Sequence, residues 1–263
     1  MSDSPFPTFE ISDPRLEHDG IRHVTVFSPA LGRRADCTLW VPSSERPPRL
    51  IILLHGVYGS HWAWTANGGA HVVAAELIRR RSLGPIVLAM PSDGLLGHGS
   101  GYVDQRAGNF ERWIVDEVPA LASLVAGVDA TQPIGVVGLS MGGFGALSIG
   151  ARHGHRVAAV AAMSAITHFE QMRRFVGSLD LYEDLDAPRS VLASILDHRD
   201  VLPAIRFDCG SSDLLIAENR ELHEALDAEG ITHEWHEFEG THDWAYWRAR
   251  LPDALAFCVD VLS

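Results

Sequence analysis

Ile134-Gly-Val-Val-Gly138-Leu-Ser140-Met-Gly142-Gly143 is the stretch on which the reading of this chain turns. The apolar run Ile134 to Val137 has the composition of a buried strand, and Gly142 to Arg152 reads as a helix of small residues. Between them lies G-x-S-x-G, the nucleophile-elbow pattern in its strand–turn–helix setting. The demand is steric. A serine at so tight a corner has a strained backbone, so the positions two residues to either side must be nearly bare, and Gly138 and Gly142 are. The helix start then offers backbone N–H groups and a positive dipole end to a developing oxyanion. A phosphate-binding loop would need a G-x-x-x-x-G-K-[ST] lysine or G-x-G-x-x-G spacing, and neither stands here.

Working outward, Leu50 to Leu54, Ile86 to Met90 and Val157 to Met163 are further short continuous apolar runs. Such runs suit parallel strands covered on both faces. Helical patterns alternate with them: Val72 to Arg81, Phe110 to Gly127 and Glu218 to Glu229, the last with Gly230 as its stop. Pro119 predicts a kink or a late start in the second of these. Repeated strand-then-helix units imply a right-handed α/β arrangement. Upstream, Arg22 to Phe27 and Ala35 to Val41 alternate around Pro29 and Gly32, the pattern of a β-hairpin. Residues 1–20 read as an extended arm and 21–263 as one domain. Two long irregular stretches, Ser92 to Gly108 and Ile166 to Pro203, interrupt the alternation, and 166–203 has the character of a lid or insert.

A serine hydroxyl needs a base, and on this fold the order is Ser, Asp/Glu, His. Among fourteen histidines, His242 is favoured. It lies in the loop after the late strand Thr232 to Phe238, whereas His233 and His236 lie within that strand. Asp213 stands just beyond the strand Ala204 to Cys209, where a carboxylate can orient an imidazole; Asp208, the rival, is inside that strand. A second oxyanion donor is expected from the turn after the first buried strand, Leu54-His55-Gly56-Val57-Tyr58-Gly59. The Val57 N–H would face that of Met141, with His55 organising the turn. Tyr58, Trp62, Trp64, Tyr102 and Trp244 cluster near the mouth, where they either line an acyl or phenolic pocket or cover the core under the long loops.

Leu54 to Gly59, Gly138 to Leu147, Cys209-Gly-Ser-Ser-Asp213 and Gly240-Thr-His-Asp-Trp244 follow in order, and together they resemble the putative-esterase (esterase D-like) branch of the α/β-hydrolases. The resemblance runs from about residue 22 to the C-terminus and lies nearest the tributyrin and feruloyl-type esterases. It implies the α/β-hydrolase fold: a mostly parallel central sheet preceded by an antiparallel hairpin, with helices on both faces. It also implies a Ser140, Asp213, His242 triad, Val57 and Met141 as oxyanion N–H donors, and hydrolysis of small acyl or aryl esters through an acyl-enzyme. The cysteine-containing turn of the S-formylglutathione hydrolases is absent. A thioesterase of that type, an acyltransferase with a sugar or alcohol acceptor, and a non-catalytic binding protein are the alternative readings.

The charge balance, 21 Lys+Arg against 34 Asp+Glu for a net −13 over 263 residues, repels phosphate backbones and anionic lipid. Nucleic acid and membrane are therefore not expected partners; a small-molecule ester is, and a homo-oligomer stays open. The widely spaced Cys37, Cys209 and Cys258 form no disulfide framework and suit a reducing cytoplasm. No cofactor is expected and no metal, because His98 with Asp93 and His153 with His155 lack zinc-ligand spacing.

Overall fold

Strands buried on both faces must carry apolar side chains at their covered positions, and the central strands of this protein do. The computed structural model describes residues 4–44, 46–81, 84–179, 182 and 189–263. The strands are β1 (Phe9–Ile11), β2 (Ile21–Ser28), β3 (Arg33–Trp40), β4 (Arg49–Leu54), β5 (Ile86–Pro91), β6 (Ile134–Leu139), β7 (Val157–Met163), β8 (Ala204–Gly210) and β9 (Glu234–Phe238). The helices are α1 (Ala63–Ala66), α2 (Ala70–Arg81), α3 (Phe110–Arg112), α4 (Val118–Ala126), α5 (Met141–Arg152), α6 (Val191–Asp197), α7 (Ile216–Ala228) and α8 (Trp244–Leu262).

Among the described residues the strands form one sheet in the order β1-β2-β3-β5-β4-β6-β7-β8-β9. From β5 to β9 every pairing is parallel, while β1–β2, β2–β3 and β3–β5 are antiparallel. This is the α/β-hydrolase arrangement with its N-terminal hairpin. The two-residue period of a strand divides the core. Leu50, Ile52 and Leu54 of β4 enter one apolar cluster with Leu121 of α4, Phe144 of α5 and Leu222 of α7. Ile51 and Leu53 point the other way, toward Trp64 of α1, Ala74 of α2 and Leu251 of α8. Helices thus cover both faces, leaving the C-terminal ends of the parallel strands as the open edge where catalytic groups gather in such sheets.

Three local features add to the sequence reading. The N-terminal arm is extended but also joins the sheet, because Phe9–Ile11 pairs with Val24–Val26 as an antiparallel edge strand. Pro119 does not break the helical run. One π-turn, Trp113–Glu117, precedes it, and the Val118 N–H donates to the Trp113 carbonyl. The wider turn absorbs the N–H that proline lacks. The 166–203 stretch holds a 3₁₀ turn at Phe169–Arg174, α6 and a 3₁₀ turn at Arg199–Val201. Its buried Phe169, Met172, Val191 and Ile195 are anchored in the core; residues 180–181 and 183–188 of that stretch lie outside the described ones.

Candidate active site

The corner after β6 is as tight as its glycines predict. Ser140 sits at φ 53°, ψ −117°, outside the regions an ordinary side chain favours. A Cβ on Gly138 would lie 2.0 Å from the Gly142 carbonyl oxygen, and one on Gly142 would lie 2.2 Å from that of Leu54. The strained conformation is held by its neighbours: the Ser140 N–H donates to the Met163 carbonyl at 3.0 Å, and the Ile166 N–H donates to the Ser140 carbonyl at 3.1 Å. The serine side chain is delivered to the open edge of the sheet at the start of α5.

Two further loops meet it there. Asp213 follows β8 and His242 follows β9, and the loops are stitched by backbone bonds from Ser211 N–H to Phe238 O, 2.7 Å, and Ser212 N–H to Gly240 O, 2.9 Å. Asp243 then caps α8, its carboxylate accepting from the Ala245 and Tyr246 N–H groups. His242 Nε2 lies 3.0 Å from Ser140 Oγ, and His242 Nδ1 lies 2.9 and 3.0 Å from the two Asp213 oxygens. The structure therefore brings Ser140, His242 and Asp213 into one hydrogen-bonded line. Burial pushes the Asp213 carboxyl up, but the bonds from His242 and the Leu215 N–H prevail and hold it below the ordinary carboxylate range. Asp208 is not in this line: it binds the Tyr246 hydroxyl at 2.8 Å and Arg206 at 2.5 Å beneath the site.

Several contacts around the histidine carried no sequence signal. Phe175, from the long loop, stacks on the His242 ring with centroids 5.2 Å apart at 29°. Trp247 meets the same ring edge-on at 5.1 Å and 85°. Its indole N–H donates to Ser164 Oγ at 3.2 Å, and the Ser164 hydroxyl in turn favours the ionised form of Asp213. Ser164 is itself held at φ 48° at the end of β7. The Tyr58 hydroxyl donates to the Phe175 carbonyl at 2.6 Å, tying the turn after β4 to the loop that covers the histidine.

These residues enclose a cavity of ≈ 230 Å³ lined by Val57, Tyr58, Trp62, Ser140, Phe175, His242, Trp244 and Trp247, among others. Of the aromatics expected at the mouth, Tyr58, Trp62 and Trp244 line it. Trp64 and Tyr102 do not. Each is 1% exposed; Trp64 packs edge-on against Trp244, and the Tyr102 hydroxyl bonds the His55 carbonyl. Larger depressions exist, one of ≈ 610 Å³ lined by Arg49, Ile51, Ile86 and Gln132. It lies at the opposite, N-terminal ends of β4 and β5, away from Ser140.

Val57 borders the cavity beside Gly56. Met141 is the first residue of α5, where the helix leaves N–H groups without an intrahelical acceptor. His55 is buried and braces the loops: its Nδ1–H donates to Gly56 O at 2.8 Å, and its Nε2 accepts the Asp93 N–H at 3.2 Å. Asp93 in turn gathers the Leu95 and Ser100 N–H groups, so the 92–108 stretch is pinned to this turn. Cys209, buried below, is no competing nucleophile; desolvation pushes its thiol far up.

The profile of the family described as "Putative esterase" matches residues 28–258. A protein named acetyl esterase from Caldicellulosiruptor saccharolyticus is 28% identical over 227 residues, 78% of this chain and 81% of that protein. Among solved structures, a ferulic acid esterase superposes with a TM-score of 0.78 at 24% identity, covering 97% of this chain and 100% of its own. The fluorophosphonate-binding serine hydrolase F of Staphylococcus aureus, solved with substrate bound, gives 0.79 at 18% identity, covering 91% and 98%. At those identities the two structures speak for the fold.

Proposed function

The chain belongs to the putative-esterase family, and from that premise we propose that it is a serine carboxylester hydrolase in which Ser140, His242 and Asp213 form the catalytic triad. The observation that carries the reading is the 3.0 Å approach of Ser140 Oγ to His242 Nε2 on a strained elbow, with Asp213 fixing Nδ1 from behind. His242 takes the hydroxyl proton as Oγ attacks the ester carbonyl, and Asp213 orients the ring and stabilises the imidazolium. The N–H groups of Val57 and Met141 receive the oxyanion. A single donor in such a hole is worth about 3–4 kcal/mol of transition-state stabilisation. His242 then protonates the leaving alcohol, and water resolves the acyl-enzyme.

A cavity of ≈ 230 Å³ is smaller than the ~300–1,000 Å³ of sites for drug-sized ligands, which supports a small acyl or aryl group. The 28%-identical acetyl esterase points the same way. The described residues of the segment 166–203 serve as the cover of the site within one domain spanning 21–263. Phe175 on the His242 ring and the Tyr58–Phe175 bond support that role. No helix among the described residues is long and apolar enough to cross a membrane. We place the protein in a reducing cytoplasm on the strength of three buried, unlinked cysteines.

Hydrolysis of p-nitrophenyl esters from acetyl to octanoyl by wild type and Ser140→Ala tests the reading. The expected result is a loss of several orders of magnitude in the variant and a wild-type preference for the shortest acyl chains. Equal rates in the two proteins would refute it.

A further inference from the structure

Away from the triad, the far ends of α7 and β9 bring two histidines and an aspartate together: His223 and Asp227 one helical turn apart on α7, and His233 in the segment entering β9. From this juxtaposition we propose a binding site for a borderline divalent transition ion of the Zn²⁺ type, held by His223, Asp227 and His233.

The His233 ring is already oriented as a ligand. His233 Nδ1 donates to the Ile231 carbonyl at 2.8 Å, which leaves the lone pair on Nε2. A ring N–H given to a backbone carbonyl is the usual outer support of a metal-bound histidine, since it fixes both tautomer and orientation. That Nε2 accepts the His223 Nδ1–H at 2.8 Å, which leaves the lone pair of His223 on its own Nε2, and one ligand atom from each of the three residues lies within 4.8 Å of the others. The Asp227 carboxylate closes the third side, Oδ1 lying 3.9 Å from His233 Nε2 and Oδ2 3.6 Å from His223 Nε2. Aromatic packing holds both rings: His233 stacks on Phe207 at 5.5 Å and 21°, and His223 on Trp235 at 5.7 Å and 23°.

Zn–N bonds of about 2.0–2.1 Å at a tetrahedral angle set nitrogens about 3.3 Å apart. The ion therefore replaces the His223–His233 hydrogen bond, with a ring nitrogen of His223 turning onto the metal, a movement open to a side chain that is 30% exposed. Two imidazoles and one carboxylate suit Zn²⁺, Co²⁺ or Ni²⁺ and are poor ligands for Mg²⁺ or Ca²⁺, which favour oxygen donors. His233 is buried while Asp227 is exposed, so the remaining coordination position faces water. The ion would staple the end of α7 to the entry of β9. The opposite ends of these elements carry the Asp213 and His242 loops, so the site acts on stability and not on chemistry.

Full-length protein stripped with chelator and desalted is titrated with ZnCl₂, and separately with MgCl₂, by calorimetry, with melting followed in parallel. The expected result is one saturable Zn²⁺ event at 1:1, a Tm that rises with the logarithm of Zn²⁺ concentration, and no Mg²⁺ response. His223→Gln and Asp227→Asn, both on the solvent side of α7, should each weaken Zn²⁺ binding by about tenfold or more while ester hydrolysis stays at the wild-type rate. Absence of a saturable event would overturn the proposal. So would unchanged affinity in both variants, which would assign the binding to other histidines, or an equal response to Mg²⁺.

Discussion

Asp213→Asn should disable the site without disturbing its outline, and the structure says how. Asp213 Oδ1 accepts the Leu215 N–H at 2.8 Å, so an asparagine keeps its carbonyl oxygen there. The amide NH₂ then replaces Oδ2, 2.9 Å from His242 Nδ1. Two donors cannot share that gap, and the retained oxygen, 3.0 Å from Nδ1, is already engaged by the Leu215 N–H, so the ring proton settles on Nε2, which faces Ser140 Oγ and can no longer accept its proton. A wrong imidazole tautomer costs a serine triad about 10⁴-fold in kcat, or about 5 kcal/mol at 1.36 kcal/mol per decade. Steady-state hydrolysis of p-nitrophenyl acetate should show that loss in kcat with KM little changed, because the cavity walls are untouched. Asp208→Asn is the matched control. Its partners are Tyr246 and the 4%-exposed Arg206, so it should cost stability, about 3–5 kcal/mol for a buried charge left unpaired, and leave the turnover of the folded fraction near wild type. A kcat loss under tenfold in Asp213→Asn, or a larger loss in Asp208→Asn, would refute the reasoning.

Gly142→Ala places a Cβ 2.2 Å from the Leu54 carbonyl oxygen and should destabilise the fold by about 3 kcal/mol or more, read from urea melts; a variant of wild-type stability would contradict the steric account of the elbow. The pH dependence of stability follows from Asp213. Its folded carboxyl is held below the ordinary range, so the unfolded chain binds the proton first as pH falls; the carboxylate's contribution is present above the unfolded pKa of about 3.9 and is lost as pH drops through the lower folded value. Acid unfolding of wild type and Asp213→Asn should therefore converge below about pH 4; a gap that persists undiminished well below that pH would assign the effect elsewhere. Burial raises the Cys37, Cys209 and Cys258 thiols, Cys258 to about 12, so a thiol reagent at neutral pH should label the native chain slowly and all three sites after unfolding. Rapid labelling of native protein would contradict that packing.

What the sequence disclosed is what local sterics and strand ends enforce. Gly138 and Gly142 reveal the elbow because nothing larger fits, and Asp213 and His242 follow from their places just beyond two strands. The contacts it concealed depend on groups brought together by the fold. Phe175 reaches His242 across 67 residues, from a stretch with no period, and Trp247 lies at helical spacing from Trp244, a pattern that core packing explains equally well. Trp64 and Tyr102 misled for the same reason: an aromatic near a proposed mouth carries no mark of whether it faces the cavity or the core. Pro119 announced an irregularity, but a π-turn only forms where the neighbouring chain can hold it, here through Glu117, whose carboxylate accepts from Ser28 and the Ala30 N–H. Ser164 looked ordinary because its importance lies in its φ of 48° and in Trp247, neither of which is written in its neighbours.

The central claim is that Ser140 Oγ is the activated nucleophile. Its most direct test is covalent labelling with a fluorophosphonate, followed by peptide mass spectrometry of wild type, Ser140→Ala and His242→Ala. One adduct is expected, on the peptide carrying Ser140, absent from the alanine variant and formed far more slowly without the histidine. An adduct on any other residue, or undiminished labelling of Ser140→Ala, would contradict it.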